Sequence, residues 1–239
     1  MAVFEAHLTA ALTAAGLRYE EEKIAKAVAF KDLLIAANRS TNLTAITDES
    51  EMAIKHFADS LLLLQYADLP EGATLVDIGA GPGFPGIPLK IFRPDLKIML
   101  LESAGKKCRF LTEVIDVLAL KDISVYCGRA EEMGRDASYR GHFQCATARA
   151  VADLAVLLEY ALPLLAIGGR LFCFKGPEAE AELPMAGEAL ALCGGSLEKV
   201  EHYTIPHSEY RRCLLTVQKT APCGEKYPRR PGMPSKRPL

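Results

Sequence analysis

The segment Asp77–Gly86, with the sequence DIGAGPGFPG, constrains the fold of this chain more than any other segment. It follows the apolar run 74–76, which is typical of a buried parallel strand that ends in a turn. Glycines in such a turn let the backbone take positive φ and approach a ligand closely. The turn holds three closely spaced glycines, Gly79, Gly81 and Gly83. Since a helix is predicted directly after it, free N–H groups at the start of that helix would face an electron-rich ligand.

The spacing of these glycines separates two classes of nucleotide-binding protein. A dinucleotide fingerprint, G-x-G-x-x-G, needs a third glycine at position 84, where this chain has Phe84. Its third glycine is Gly83, so that the pattern reads D-x-G-x-G-x-G. This pattern resembles motif I of the class I S-adenosylmethionine-dependent methyltransferases, and it favours methyl transfer over hydride transfer.

Strand-like and helix-like segments alternate after residue 74, which predicts a parallel sheet with helices on both faces. Strands are predicted at 74–78, 97–102, 123–127, 143–147, 169–174, 197–203 and 211–218, and helices at 86–92, 104–119, 151–161 and 178–191. Three further helices are predicted before the sheet, over 3–16, Glu20–Asn38 and Asp48–Tyr66. We expect the last two strands to form the antiparallel hairpin of class I methyltransferases, by analogy alone.

These segments predict an α/β protein, a Rossmann-like seven-stranded sheet with an N-terminal helical extension. The expected organisation is a helical extension packed on the core over residues 1–70, a methyltransferase core over 71–220 and a basic, Pro-rich tail over 221–239. Within it, residues 223–239 have five basic residues against Glu225 alone, and their four prolines predict an extended segment without regular helix. We expect it to contact RNA or the ribosome, because the formal net charge of -2 leaves only local basic surface for such a partner.

The remaining composition predicts a cytoplasmic enzyme without metal. The seven cysteines are scattered without a C-x-x-C pair, which disfavours zinc and disulfides and fits reduced thiols. The N-terminal residues lack the charged region of a signal peptide, and no uncharged stretch reaches the ~18 residues of a membrane span.

Three predicted strand ends carry polar side chains that can bind a nucleoside. Glu102 lies 25 residues after Asp77, near the ~20-residue offset of nucleotide folds, and can accept hydrogen bonds from ribose hydroxyls. Its alternative role is to cap the following helix. Residues after the third strand, such as Ala130 and Glu131, would lie beside adenine, or else begin a surface helix. Arg149 can hold a carboxylate or a phosphate, or else form a structural ion pair with an acid such as Asp153.

The residues at the end of the fourth strand also indicate which catalytic groups of some methyltransferases this chain lacks. Enzymes that methylate exocyclic amines usually carry an Asn- or Asp-Pro-Pro-aromatic tetrad there, and this chain reads ATARAVAD. Enzymes that make C5-methylpyrimidines need a Pro-Cys nucleophile there, whereas the sole Pro-Cys here is Pro222-Cys223. Guanine N7 needs neither device because its lone pair carries no proton. Positioning and exclusion of water would then be enough, and we predict no catalytic base.

Taken together, the motifs resemble the bacterial RsmG family, also called glucose-inhibited division protein B. The matching segments extend over nearly the whole chain and are 42–44, 56–60, 76–88, Glu102 with 106–107, 129–131, 148–150, 175–176 and 227–232. The resemblance implies methyl transfer to guanine N7 in 16S rRNA near the decoding site. It implies S-adenosyl-L-methionine as cofactor, held by Gly79, Phe84, Ala130, Glu131 and Arg149; to these the residue analysis adds Gly81 and Glu102.

Two functions remain open at this point. The first is an rRNA (guanine-N7)-methyltransferase that acts on the small ribosomal subunit as a cytoplasmic monomer. The second is an rRNA-binding assembly or regulatory protein that binds the cofactor without significant turnover. An intact glycine turn together with Glu102 and Arg149 favours the enzyme, because a binding protein would not require all of them. A nicotinamide dehydrogenase is a distant third.

Overall fold

One mixed sheet of seven strands organises the computed structural model, which describes residues 2–239. Its order is β3-β2-β1-β4-β5-β7-β6. The strands are β1 (Thr74–Ile78), β2 (Lys97–Glu102), β3 (Ile123–Cys127), β4 (Phe143–Arg149), β5 (Leu165–Lys175), β6 (Gly195–Thr204) and β7 (Arg211–Lys219). The first five strands pair in parallel, while β7 pairs antiparallel with β5 and β6. The predicted class I methyltransferase sheet, with its terminal hairpin, is confirmed.

The strand order reverses between β1 and β4, which creates the crevice where such sheets bind ligands. Side chains of β1 alternate between the two faces: Leu75 joins one hydrophobic core and Val76 the other. Because both faces are covered, the strand is apolar after Thr74 except for Asp77, which is itself fully buried.

Helices cover both faces of the sheet. The core on one face includes α6 (Gly86–Phe92) and α7 (Gly105–Val117). The other face is covered by α8 (Ala130–Met133), α9 (Leu154–Ala161) and α10 (Gly187–Cys193). Among residues 2–239, no helix has both the length and the apolar character needed to cross a membrane.

The N-terminal helices share a core with the sheet. They are α1 (Val3–Ala14), α2 (Glu21–Thr41), α3 (Glu49–Glu51), a π-helical segment (Met52–Ala58), α4 (Asp59–Leu61) and α5 (Leu63–Tyr66). Asp48 begins this last run as predicted, since its Oδ1 accepts the Glu51 backbone N–H at 2.9 Å. Phe57 in the π-helical segment packs on Phe4, Phe30 and Phe84, and thereby fixes the extension against the glycine turn.

The single helix expected over Asp48–Tyr66 is divided among α3, the π-helical segment, α4 and α5, and two further segments also differ from their predictions. The single helix expected over 178–191 is divided into two 3₁₀ turns, Ala179–Glu182 and Pro184–Ala186, followed by α10. Pro184 explains the break, because it has no backbone N–H and fixes φ.

The tail, expected to be extended and without helix, packs on the protein and ends in the short helix α11 (Met233–Lys236). Tyr227 and Pro228 are buried, and Arg229 pairs with the fully buried carboxylate of Glu159. Pro234 lies in the first turn of α11, where a missing N–H breaks no helical bond.

Candidate functional site

The glycine turn begins at the end of β1, and a buried carboxylate fastens its far end to the sheet. Asp77 Oδ2 accepts the Gly86 N–H at 2.9 Å, and Asp77 Oδ1 accepts the Thr147 hydroxyl at 3.0 Å. A Cβ on Gly86 would lie 2.4 Å from Leu100, so only glycine fits there. Burial raises the pKa of Asp77 to about 7, although the two hydrogen bonds act in the opposite direction. Asp77 therefore holds the turn in place.

All three turn glycines adopt positive φ, at +66° for Gly79, +59° for Gly81 and +106° for Gly83. Their surroundings differ. A Cβ on Gly79 would lie 2.8 Å from Val151, and one on Gly83 would lie 2.6 Å from Ile87, whereas one on Gly81 would meet no atom closer than 3.8 Å. Glycine is thus required at Gly81 by its backbone conformation alone, and its N–H is used to bind Glu102.

A cavity opens at this edge of the sheet, which we call the glycine-loop cavity. Four of the seven predicted cofactor residues line this cavity, namely Gly79, Glu102, Ala130 and Glu131. Val151 and Tyr160 also line it. The four predicted residues come from the ends of three strands, β1, β2 and β3, which the parallel sheet brings to one edge.

Glu102 lines this cavity and also binds the backbone at two points. Its Oε1 accepts the N–H of Ala104, the residue just before α7, at 2.8 Å. Its Oε2 accepts the Gly81 N–H at 3.0 Å, and Lys107 Nζ lies 4.0 Å away. The carboxylate therefore links the glycine turn to α7 while lining the cavity, and each oxygen has a further lone pair for ligand hydroxyls.

Ala130 and Glu131 begin α8 at the opposite wall. The alternative of a surface helix is wrong for Glu131, because this residue is only 2% exposed. Its Oε1 accepts the Gly232 N–H at 2.8 Å, from the C-terminal tail.

Phe84 and Arg149 do not line the glycine-loop cavity. Phe84 is buried, and its ring stacks on His56 with centroids 4.6 Å apart. The Arg149 guanidinium carbon lies 5.2 Å from the same ring. The two residues are thus neighbours, on the side of the turn that faces the N-terminal extension.

Arg149 is held by that extension. Its Nη1 donates to the Lys55 carbonyl at 3.0 Å and to Asp59 Oδ2 at 3.2 Å. Its Nη2 lies 3.3 Å from His56 Nδ1. The acid considered from the sequence, Asp153, is exposed and has no ion pair with Arg149 in residues 2–239. The partner is Asp59, which is fully buried.

A second and larger cavity, of about 540 Å³, lies beside the first, and we call it the basic cavity. It is lined by Lys55, His56, Arg149, Lys175 and Arg212, and it shares Val151 with the glycine-loop cavity.

The charges around the basic cavity do not balance. Asp59 receives two guanidiniums, from Arg149 and from Arg212 Nη2 at 3.2 Å, and also the Tyr203 hydroxyl at 3.0 Å. Arg212 Nε is buried without a hydrogen-bond partner within residues 2–239. Lys175 is paired with Glu182 at 2.8 Å. The pair of arginines against one carboxylate leaves an excess of positive charge that suits an anion.

His56 is neutral in this environment. Burial, together with the nearby cations Arg149, Arg212 and Lys55, lowers its pKa to about 3. Because Arg149 can only donate, His56 Nδ1 accepts, and the proton lies on Nε2, which is 2.8 Å from the Thr44 hydroxyl. His56 and Asp59 enter the sequence-based prediction only as members of the matching segment 56–60. Nothing in the sequence indicated the partners of Asp59, which are about 90 residues away or more in the chain.

Residues 2–239 contain no group of three or more His, Cys, Asp or Glu side chains arranged to hold a metal ion. The donors at the strand ends are instead carboxylates, guanidiniums and backbone N–H groups. These groups match a nucleoside with a charged substituent, so the residues present fit the cofactor that the sequence predicted.

Comparison with known proteins gives a family for the chain. The family model described as "GidB: rRNA small subunit methyltransferase G" matches residues 23–211. The Ribosomal RNA small subunit methyltransferase G of Pelotomaculum thermopropionicum is 46% identical over 224 residues, which cover 94% of both chains. The protein of that name from Carboxydothermus hydrogenoformans is 45% identical over 235 residues, 98% of this chain and 100% of the relative.

Solved structures with low sequence identity share the fold. A SAM-dependent methyltransferase from Aquifex aeolicus has a TM-score of 0.52 and 18% identity, covering 72% of this chain and 94% of that chain. The [4+2]-cyclase SpnF reaches 0.57 with 15% identity, covering 85% and 97%. Since a cyclase superposes on this chain as well as a methyltransferase does, these structural similarities show only the fold and not the activity.

The family predicted from the motifs is therefore confirmed, and with it the prediction of S-adenosyl-L-methionine as the cofactor. A match over residues 23–211 and 46% identity along nearly the whole chain leave one conclusion: the chain belongs to the rRNA small subunit methyltransferase G family.

Proposed function

We propose that this protein transfers a methyl group from S-adenosyl-L-methionine to N7 of one guanine in 16S rRNA, near the decoding site. The observation that carries the proposal is the arrangement of two cavities on either side of Val151. One has the carboxylates and glycines suited to a nucleoside cofactor, and the other has the cations suited to a nucleotide of RNA.

The glycine-loop cavity is the proposed cofactor site. Glu102 would accept hydrogen bonds from the ribose hydroxyls, and Ala130 and Glu131 would lie beside the adenine. Gly79 and Gly81 would let the backbone approach the sulfonium nucleoside closely. This assignment is supported by the convergence of Gly79, Glu102, Ala130 and Glu131 on one cavity.

Arg149 and Phe84 would act from the other side of the glycine turn. Arg149 suits the carboxylate of the methionine moiety, or a phosphate of the RNA, because its fork matches either anion. Phe84 would support Arg149 by the contact of its ring with the guanidinium.

The basic cavity is the proposed site of the target nucleotide. Arg149 and Arg212 share a single carboxylate, and the unpaired Nε of Arg212 is a donor that a phosphate or a base oxygen would satisfy. Phosphate contacts of this kind position RNA and make binding dependent on salt.

The residues around the two cavities suit a reaction without a proton acceptor. When bound, the cofactor would supply an electrophilic methyl group, and guanine N7 would bond to this carbon as the carbon–sulfur bond breaks. N7 carries no proton to remove, and His56, with a pKa of about 3, stays neutral as the N7 lone pair is consumed. What the chain contributes is orientation of the two reactants in line and exclusion of water from the space between them.

A transfer assay tests this function. The protein is incubated with methyl-labelled S-adenosyl-L-methionine and either small subunits or naked 16S rRNA from cells that lack the activity. Label in 7-methylguanosine at one position supports the proposal. Cofactor binding without transfer on both substrates would instead support an assembly or regulatory protein. We expect a monomer that acts in the cytoplasm, where its substrate is found, and sedimentation of the purified protein checks the oligomeric state.

A further inference from the structure

In the C-terminal tail, Tyr227 and Pro228 are held to the protein through their backbone carbonyls. Tyr227 is only 4% exposed. Arg140 Nη1 donates to its carbonyl at 2.7 Å, and Arg135 Nε donates to the Pro228 carbonyl at 2.7 Å. Pro228 also packs on Gly134, where a Cβ would approach its ring to 2.9 Å. We call residues 227–235 the strap.

A buried ion pair anchors the middle of the strap. Glu159 on α9 is fully buried, and three groups of Arg229 bind its carboxylate: the backbone N–H at 2.7 Å, Nε at 2.9 Å and Nη2 at 2.7 Å. A carboxylate in such a position is stable only while it is paired, and the fork of arginine satisfies both of its oxygens. The first arginine of the tail is thus committed to the fold of this chain.

Beyond this ion pair, the strap contacts two residues that line the glycine-loop cavity. The Gly232 N–H donates to Glu131 Oε1 at 2.8 Å, and Ser235 Oγ lies 2.8 Å from the Tyr160 hydroxyl. Gly232 has a φ of +80°, which a residue with a side chain would rarely adopt. Within residues 2–239, the Gly232 N–H is the only hydrogen-bond donor found on the Glu131 carboxylate.

We propose that the strap is a positioning element for the cofactor, in which Arg229 fixes Gly232 and Ser235, and these fix Glu131 and Tyr160. This inference rests on the proposed use of the glycine-loop cavity. The Glu131 side chain is buried with one internal hydrogen bond, so its rotamer depends on a single donor. When the strap is released, Glu131 and Tyr160 lose these bonds, and the cavity wall is no longer preorganised for binding.

The same tail supplies a matched control. Arg230 is the neighbour of Arg229 and carries the same charge, yet it is exposed and its side chain has no hydrogen bond or ion pair in the part of the chain described. A tail that acts on RNA through its charge would use both arginines alike, whereas a strap needs only Arg229.

The test compares Arg229→Ala and Arg229→Lys with Arg230→Ala in the full-length protein. Binding of S-adenosylhomocysteine and of S-adenosyl-L-methionine is measured by calorimetry, and KM and kcat are measured with small subunits. We expect Arg229→Ala to weaken cofactor binding about tenfold or more, since it removes charge-assisted bonds that order the wall. KM for the cofactor should rise more than kcat falls, Arg229→Lys should restore part of the affinity, and Arg230→Ala should bind like the wild type.

A second pair of variants keeps the test decisive if loss of Arg229 unfolds the protein. Tyr160→Phe and Ser235→Ala each remove one hydroxyl without leaving a buried charge, and each should weaken cofactor binding by about threefold. If Arg229→Ala folds, wild-type cofactor affinity in this variant would overturn the inference. If Arg229→Ala unfolds, wild-type affinity in both hydroxyl variants would overturn it. So would an equal loss of subunit binding in Arg229→Ala and Arg230→Ala with unchanged cofactor binding, which would make the tail an RNA contact. Failure of the wild type to bind cofactor would refute the proposed function instead.

Discussion

Replacing Asp59 by asparagine should destabilise the protein strongly, although the change adds no non-hydrogen atom. Asp59 is fully buried and accepts hydrogen bonds from Arg149 at 3.2 Å and from the Tyr203 hydroxyl at 3.0 Å, while Arg212 pairs with it at 3.2 Å. Asparagine keeps one acceptor, which can still serve Tyr203. Its amide group would face a guanidinium donor, and both arginines would lose their counter-ion.

The size of the effect follows from the burial of the two arginines. Removal of one partner of a buried ion pair costs about 3–5 kcal/mol. The Arg149 side chain is only 11% exposed, whereas the Arg212 side chain, at 32%, can turn outward and be hydrated. We therefore expect the lower end, about 3 kcal/mol, a large fraction of the ~5–15 kcal/mol that stabilises a typical protein.

Asp153→Asn is the matched control. Asp153 lies closer to Arg149 in the sequence, is exposed and forms no ion pair with it within residues 2–239, so the change should cost less than about 0.5 kcal/mol. Equilibrium unfolding in urea at pH 7.5 gives the free energy of unfolding of each variant. The comparison is valid when the m-values of the two variants are equal. A loss below about 1 kcal/mol for Asp59→Asn, or equal losses in the two variants, would refute the role given to Asp59.

Three further predictions concern the glycine turn and its surroundings. Glu102→Gln should weaken cofactor binding about tenfold in calorimetry, since a charged acceptor for the ribose is lost; wild-type affinity would contradict the ribose assignment. One oxygen can still accept the Ala104 N–H, but the amide group would then face the Gly81 N–H, so we also expect a loss of stability of about 1 kcal/mol. Gly81→Val forces a β-branched residue to φ +59°, so we expect a loss of about 1–2 kcal/mol in urea unfolding together with weaker cofactor binding; unchanged affinity would argue against the turn as the binding element. His56→Gln should reduce the pH dependence of stability. The folded protein protonates His56 only below a pKa of about 3, whereas the unfolded chain takes up this proton below about pH 6.5. Wild-type stability should thus fall by up to about 2 kcal/mol more than that of the variant between pH 7 and pH 5, as measured by urea unfolding at the two pH values. Parallel profiles would show that His56 is not buried in its neutral form.

The sequence predicted the parts of the fold that depend on local patterns. The run from β1 through the glycine turn to α6 was predicted to the residue, because apolar alternation, glycine spacing and helix start all lie within 20 residues. The broken helix over 178–191 was missed although Pro184 gave a signal that could have divided it.

The arrangement of the site was harder to predict because its partners are distant in the chain. Arg149 was expected to pair with an anion or with an acid such as Asp153, but its acid is Asp59, 90 residues earlier. Sequence spacing carries no information on such pairs, which exist only once the N-terminal extension packs on the sheet. The same holds for the tail, where composition predicted an extended basic segment while Tyr227 and the Arg229–Glu159 pair tie it to the core.

A crystal structure of this protein with S-adenosylhomocysteine tests the central claim most directly. The account predicts the nucleoside in the glycine-loop cavity, with its ribose hydroxyls on the Glu102 carboxylate and its adenine beside Ala130 and Glu131. A ligand found elsewhere, with the glycine turn free of contacts to it, would contradict the account.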